Sequence, residues 1–176
     1  AKPVLDSEIA KHLGESLTAV YSYLHLSTKV GTNPFGHWGL LHWSEVTPRR
    51  MADRIYLVLK KNEQPLHYKE ITKQIAQHYK RAVHAPTVHN ELIADDRFVL
   101  VGRGIYALKE WGYVSGTVRQ IVEETLKKAS ALMTREEVVS AVLRQRIVAR
   151  STILLALNSN RRIKKVGKDG YQYKKE

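Results

Sequence analysis

The chain of 176 residues has no cysteine. Disulfides, thiol catalysis and cysteine-ligated zinc are therefore excluded. No apolar run approaches the roughly 20 residues that a membrane-spanning helix needs, and no signal peptide is visible. A cytoplasmic location with no membrane partner is expected. The amino end carries no methionine, so the sequence is expected to be a processed chain or a piece of a longer one. Acidic side chains are in the minority, 17 against 29 basic, which leaves a net charge of +12 and a pI near 9.9. A field of that sign favours a polyanionic partner, nucleic acid foremost. The hydrophobic fraction of 43% is nonetheless that of a globular protein, not of a disordered basic tail. Only Tyr171 to Glu176 are expected to fray.

Catalytic constellations are also lacking. His67, His78, His84 and His89 have no carboxylate set to complete a metal site. Gly102-Arg103-Gly104 is not a dinucleotide loop, because no helix follows it. Asp95-Asp96 reads as a solvated turn, since a nuclease needs further acidic ligands at the same place. No catalytic residue, metal, cofactor or small-molecule substrate is expected, and the chain reads as a non-enzyme.

The positive charge is unevenly spread. Residues 1–47 carry a net −1, residues 48–114 a net +5, and residues 115–176 a net +8. Any phosphate grip is thus expected in the last two-thirds of the chain.

Beneath weak identity lies a repeat. Leu59-Lys60-Lys61 precedes Leu66 to Ile71 and then Ile75, just as Leu126-Lys127-Lys128 precedes Met133 to Val138 and then Val142, an offset of 67 residues. Thr87, Val88 and Leu92 match Thr152, Ile153 and Leu157, and Phe98, Val101, Gly102 and Tyr106 match Ile163, Val166, Gly167 and Tyr171, at an offset of 65. A two-residue gap reconciles them, which is self-similarity on the scale of a domain.

Local signals fit that division. Arg54 to Lys61 has apolar residues at helical spacing and stops before Pro65. His67 to Tyr79 is a second amphipathic helix with Ile71 and Ile75 inward, and Pro86-Thr87 opens a third. Phe98 to Val101 and Ile105 to Leu108 flank a Gly-Arg-Gly turn as a β-hairpin. Three helices and such a hairpin make a winged helix, and Trp111 to Thr117 reads as a linker to the next one. The fold class expected is mainly α with small β-hairpins (α+β), as tandem winged helix-turn-helix modules. Their boundaries are 1–47, a partial unit, then 48–114 and 115–176. In the first, Leu5 to Gly14 and Glu15 to Lys29 read as helices, the latter with Leu17, Val20, Tyr21 and Leu24 inward, before a short aromatic strand around Trp38 and Trp43. Its opening helix is missing, so it is either a degenerate module or continues upstream.

Pro65 to Ile71, Thr87 to Leu92 and Arg97 to Leu108 together resemble a HARE-HTH winged-helix domain, the family shared with the delta subunit of bacterial RNA polymerase. With Asn33 to Leu40, Trp43, Pro48 and the stretch Ile105 to Tyr113, nearly the whole chain resembles the C-terminal part of sigma factors that carry such an extension. The resemblance implies a role in transcription beside RNA polymerase, and hence nucleoid association. The region that binds the −10 promoter element is not recognisable.

The winged-helix reading selects residues by geometry. A third helix enters the major groove while a basic wing lies on phosphates. Thr87, His89 and Asn90 are expected outward on the middle reading helix, with Asn90 suited to an adenine edge and Arg103 at the wing tip. In the last module Arg144, Arg146, Arg150, Arg161, Arg162, Lys164, Lys165 and Lys168 form a candidate phosphate grip. Its reading helix is too apolar for a groove, and Leu154 or Leu155 is left exposed as a candidate protein interface. In the near-neutral first unit, Ser16, Thr18, Ser22, His25 and Lys29 point outward. Duplex DNA is the leading partner expected. The alternatives are docking on RNA polymerase without sequence reading, or service as the DNA-targeting arm of a restriction or modification enzyme.

Overall fold

The computed structural model describes residues 2–129, 131–167 and 169–174. Among them are eight α-helices and three small antiparallel sheets, an α+β chain. In order these are β1 (Val4–Leu5), α1 (Asp6–Leu13), α2 (Leu17–Leu26), β2 (Val30–Thr32), β3 (His37–Leu40), α3 (Met51–Asn62), β4 (Leu66–His67), α4 (Tyr68–Tyr79), α5 (Ala85–Ala94), β5 (Phe98–Gly102) and β6 (Ile105–Leu108). Then follow α6 (Val118–Ala129), β7 (Met133–Thr134), α7 (Arg135–Leu143), α8 (Arg150–Ser159), β8 (Ile163–Val166) and β9 (Gly170–Tyr173).

One topology occurs three times. A two-residue strand runs directly into a helix, a second helix follows, and a hairpin closes with its last strand in the middle of the sheet: β1-β3-β2, β4-β6-β5 and β7-β9-β8. The register recurs as well. Val4 faces Trp38, Leu66 faces Tyr106, and Met133 faces Tyr171, so each central strand carries a buried aromatic opposite an apolar residue of the short strand. Cross-strand pairs of this kind hold a register by packing on one face. The second helices, α2, α5 and α8, are each ten residues long. Val20 and Leu24, Val88 and Leu92, and Ile153 and Leu157 stand at their fourth and eighth positions, the i, i+4 spacing that places two side chains on one face.

The chain divides into two compact units, Ala1–Gln64 with Tyr68–Asp95, and Pro65–His67 with Asp96–Glu176. In the first unit α3, α4 and α5 pack pairwise, burying Ile55, Val58, Leu59, Ile71, Ile75, Val88 and Leu92. α3 begins at Met51, one turn earlier than its apolar spacing indicates, because Asp53 accepts the Arg50 N–H (3.4 Å) and caps the first turn. Ser16 caps α2 by accepting the Ala19 N–H (3.2 Å), and Gly14 ends α1 in the left-handed region (φ +69°). Buried Asn33 builds the β2–β3 turn: its side-chain oxygen accepts the N–H groups of Phe35 (3.0 Å) and His37 (3.1 Å), while Nδ2 donates to the Glu45 carbonyl (3.0 Å).

The inward stripe expected on α2 is only partly realised. Val20 is buried, but Leu17 and Tyr21 are exposed. Among the described residues no helix precedes β1, whereas α3 precedes β4 and α6 precedes β7. Leu13 is 61% exposed, whereas its topological equivalents Ile75 and Val142 are fully buried beside α3 and α6 respectively. Without a helix ahead of β1 among the described residues, the positions it would cover stay open.

In the second unit one core comprises Ile121, Val122, Leu126, Val138, Val139, Val142, Ile153, Leu157, Ile163 and Tyr171. Trp111 and Tyr113, expected in a linker, pack against Val99, Val101 and Ala107. The α7–α8 turn is fastened to β5, where the Ile147 N–H donates to the Val101 carbonyl (2.9 Å). Gly102 permits that approach, since a side chain there meets the Ile147 carbonyl oxygen at 2.9 Å.

Candidate nucleic-acid interface

The rotational phase of α5 is fixed by burial of Val88 and Leu92, which leaves Thr87 and Asn90 exposed on its outer side together with Ile93. His89 is not free on that side. Its ring lies against Tyr68 of α4 at 4.8 Å between centroids and is half-buried. Arg103 is exposed at the β5–β6 turn, and the following Gly104 takes a left-handed conformation (φ +67°) that closes the turn.

The basic residues of the last segment differ in their surroundings. Arg144, at the carboxyl end of α7, is exposed, with Nε donating to the Ser140 carbonyl (3.4 Å). Arg150, which opens α8, is paired with Glu136. Arg146 differs from the others: it is buried, its Nη1 donates to the Gly116 carbonyl, and its Nε has no acceptor among the described residues. Burial lowers its pKa. An arginine so placed ties the segment before α6 to the α7–α8 turn and is withdrawn from any phosphate surface. Arg161 and Arg162 stand where α8 passes into β8, Lys164 and Lys165 continue exposed along β8, and Lys168 lies outside the described residues. The β8–β9 turn is anchored by Asp169, whose carboxylate lies 3.5 Å from Arg135 and whose carbonyl accepts the Arg135 N–H (3.0 Å).

Leu154 and Leu155 separate. Leu154 packs against the core of the last segment, while Leu155 is 69% exposed. By the repeat, Leu155 occupies the position that Asn90 has in α5. Arg119 was not selected by sequence. It lies on α6 and donates to the Ser159 carbonyl (3.1 Å), which brings it beside Arg161 and Arg162 around one open cleft.

On α2, Ser16 serves as the cap, the Ser22 hydroxyl donates to the Thr18 carbonyl (2.9 Å), and His25 meets Tyr21 at a tilt and Trp38 edge to face. Among the described residues no cluster of three or more His, Asp or Glu side chains is placed to hold a metal ion. No helix among them is long and apolar enough to cross a membrane. Neither a protein-family model nor a curated protein matches this chain. The described surface offers amide and hydroxyl groups on α5, a guanidinium at one hairpin turn, and a cationic strand and corner at β8.

Proposed function

We propose that the chain is a tandem array of winged helix-turn-helix modules, residues 1–47, 48–114 and 115–176, that binds duplex DNA without catalysing a reaction. The observation that carries this reading is the threefold recurrence of strand, helix, helix and hairpin, with one register, in a chain of net charge +12. In such a module the second helix of the pair is the one that enters the major groove, and the hairpin turn rests on the backbone.

The roles then differ by module. In 48–114, Thr87 and Asn90 are the base-reading groups, Asn90 with the donor and acceptor that match adenine, and Arg103 holds a phosphate. In 115–176, Leu155 stands in place of Asn90, so that helix does not read bases. Arg144, Arg150, Arg161, Arg162, Lys164 and Lys165 supply a sequence-independent grip instead. The resemblance to HARE-HTH extensions of sigma factors sets this DNA contact in transcription, beside RNA polymerase.

The test is duplex affinity against salt, measured by fluorescence anisotropy. Affinity that is strong at low salt and falls linearly on logarithmic axes supports the proposal. Absence of binding at low salt, or affinity indifferent to salt, refutes it.

One observation favours a second reading, docking on RNA polymerase. The near-neutral first segment exposes Leu17, Tyr21, Tyr23 and Leu26, and α8 exposes Leu155, which is apolar surface beyond the needs of a phosphate grip. A pull-down with RNA polymerase that survives high salt and is lost in Leu155→Asn supports this reading. Capture unaffected by that change removes α8 from the interface.

A further inference from the structure

The corner between α8 and β8 is built differently in the two complete segments. In the last one, Arg119 Nη2 donates to the Ser159 carbonyl (3.1 Å) and lies 3.5 Å from the Ser159 hydroxyl. Buried Asn160 donates through Nδ2 to one oxygen of Glu123 (2.7 Å) and accepts the Arg162 N–H (3.0 Å). Arg162 Nη1 lies 3.5 Å from the other Glu123 oxygen. Arg161 is exposed and makes no ion pair among the described residues. These six residues line an open cleft of about 640 Å³.

Three guanidinium groups and a single carboxylate thus line the cleft, and both carboxylate oxygens are already engaged by Asn160 and Arg162. Among the described residues Arg119 and Arg161 make no ion pair. A guanidinium offers five donors in a planar fork, and Arg119 uses one nitrogen on Ser159, so most of its donors remain for an oxyanion. At the repeat offsets, Asp95 and Asp96 stand where Asn160 and Arg161 do and Ala52 stands where Arg119 does, while Arg97 stands where Arg162 does. Of the three arginines, Arg119 and Arg161 are therefore particular to the last segment.

We propose that Arg119, Arg161 and Arg162 form a clamp for a backbone phosphate of duplex DNA, at the end of β8 away from the β8–β9 turn. The clamp rests on the DNA-binding reading above and adds to its sequence-independent grip a further residue, Arg119, and a defined seat for one phosphate. Paired guanidiniums match the non-bridging oxygens of a phosphodiester bidentately, which gives grip without base discrimination.

The whole chain, Arg161→Ala and Arg119→Ala are each titrated with two duplexes of unrelated sequence over a salt series. Thermal melting checks that Arg119→Ala, which loses its bond to Ser159, remains folded; Arg161→Ala gives up no such bond. The expected result is several-fold weaker binding of both duplexes by the same factor. The slope of log affinity against log salt should shrink by about one phosphate for each variant. An unchanged slope and affinity in Arg161→Ala, or a loss confined to one duplex, overturns the clamp and leaves the broader reading standing. No duplex binding by the unaltered chain at low salt overturns both.

Discussion

Truncating Leu157 and Leu155 separately tests the rotational phase of α8, on which the contrast with α5 depends. Leu157 is 2% exposed and Leu155 is 69% exposed, two residues apart on one helix. Leucine to alanine removes three carbon groups, about 2.4 kcal/mol of transfer free energy when the side chain is fully buried, at ~0.8 kcal/mol per group. The cavity left among Ile121, Val138 and Tyr171 raises the expected cost of Leu157→Ala to about 3–5 kcal/mol. Leu155 withdraws less than a third of its surface from water, so Leu155→Ala should cost about 0.7 kcal/mol or less. Urea unfolding followed by far-ultraviolet circular dichroism resolves the two, provided the denaturant slope is unchanged. A cost for Leu155→Ala that equals or exceeds that of Leu157→Ala refutes the assigned phase. The parallel between Leu155 and Asn90 would fall with it.

Thr134→Ala removes a side-chain acceptor from the Glu137 N–H (3.3 Å) and a donor to the Glu137 carboxylate (2.9 Å). Loss of such a cap costs about 1 kcal/mol. The Thr134 N–H and hydroxyl hold the Glu137 carboxyl below its ordinary value, so what Glu137 contributes is present above the unfolded pKa and is lost as pH falls through the folded one. In the variant that acid-side loss should shrink, because only the backbone donor remains. Burial, and then the Lys61 charge, lower the pKa of His78, whose ring meets Phe35 at 4.6 Å. Its stabilising effect is complete above pH 6.5 and diminishes below it, and Lys61→Met should return the pKa part of the way in an NMR titration. No movement would show that Lys61 is not felt there. Tyr79 is pushed up to about 12 by burial, against the opposing charge of Arg54 beneath its ring. Stability from this group should hold below pH 10 and be lost between pH 10 and 12. Spectrophotometric titration of the chain against Tyr79→Phe should show that one late-ionising phenol disappears.

The repeat was legible because its signal lies in buried residues at fixed spacing. Val88, Leu92, Ile153 and Leu157 announce their helices, and Phe98 to Leu108 announces its hairpin. The place of the first segment in the repeat was only half legible. Trp38 occupies the register position of Tyr106 and Tyr171, but its hairpin turn is longer and built on Asn33, so no constant offset exposes the match. The candidate site was legible where one helix sets the phase, as at Thr87 and Asn90. It was illegible where the partner is distant in sequence. Arg146 is covered by Gly116, 30 residues away, and Arg119 reaches the cleft through Ser159, 40 residues away. Charge counting alone includes the first and omits the second. Leu154 and Leu155 are adjacent in an apolar run, and only packing against the core decides which one faces water.

The central proposal is that α5, the β5–β6 turn and β8 each contact duplex DNA. Backbone amide NMR of the whole chain, with a short duplex added at low salt, tests it most directly. The account predicts shifts concentrated at Thr87, Asn90, Arg103, Arg161, Arg162, Lys164 and Lys165, with Arg146 and the core strands unmoved. Shifts confined to α1 and α2, or none at saturating duplex, would contradict it.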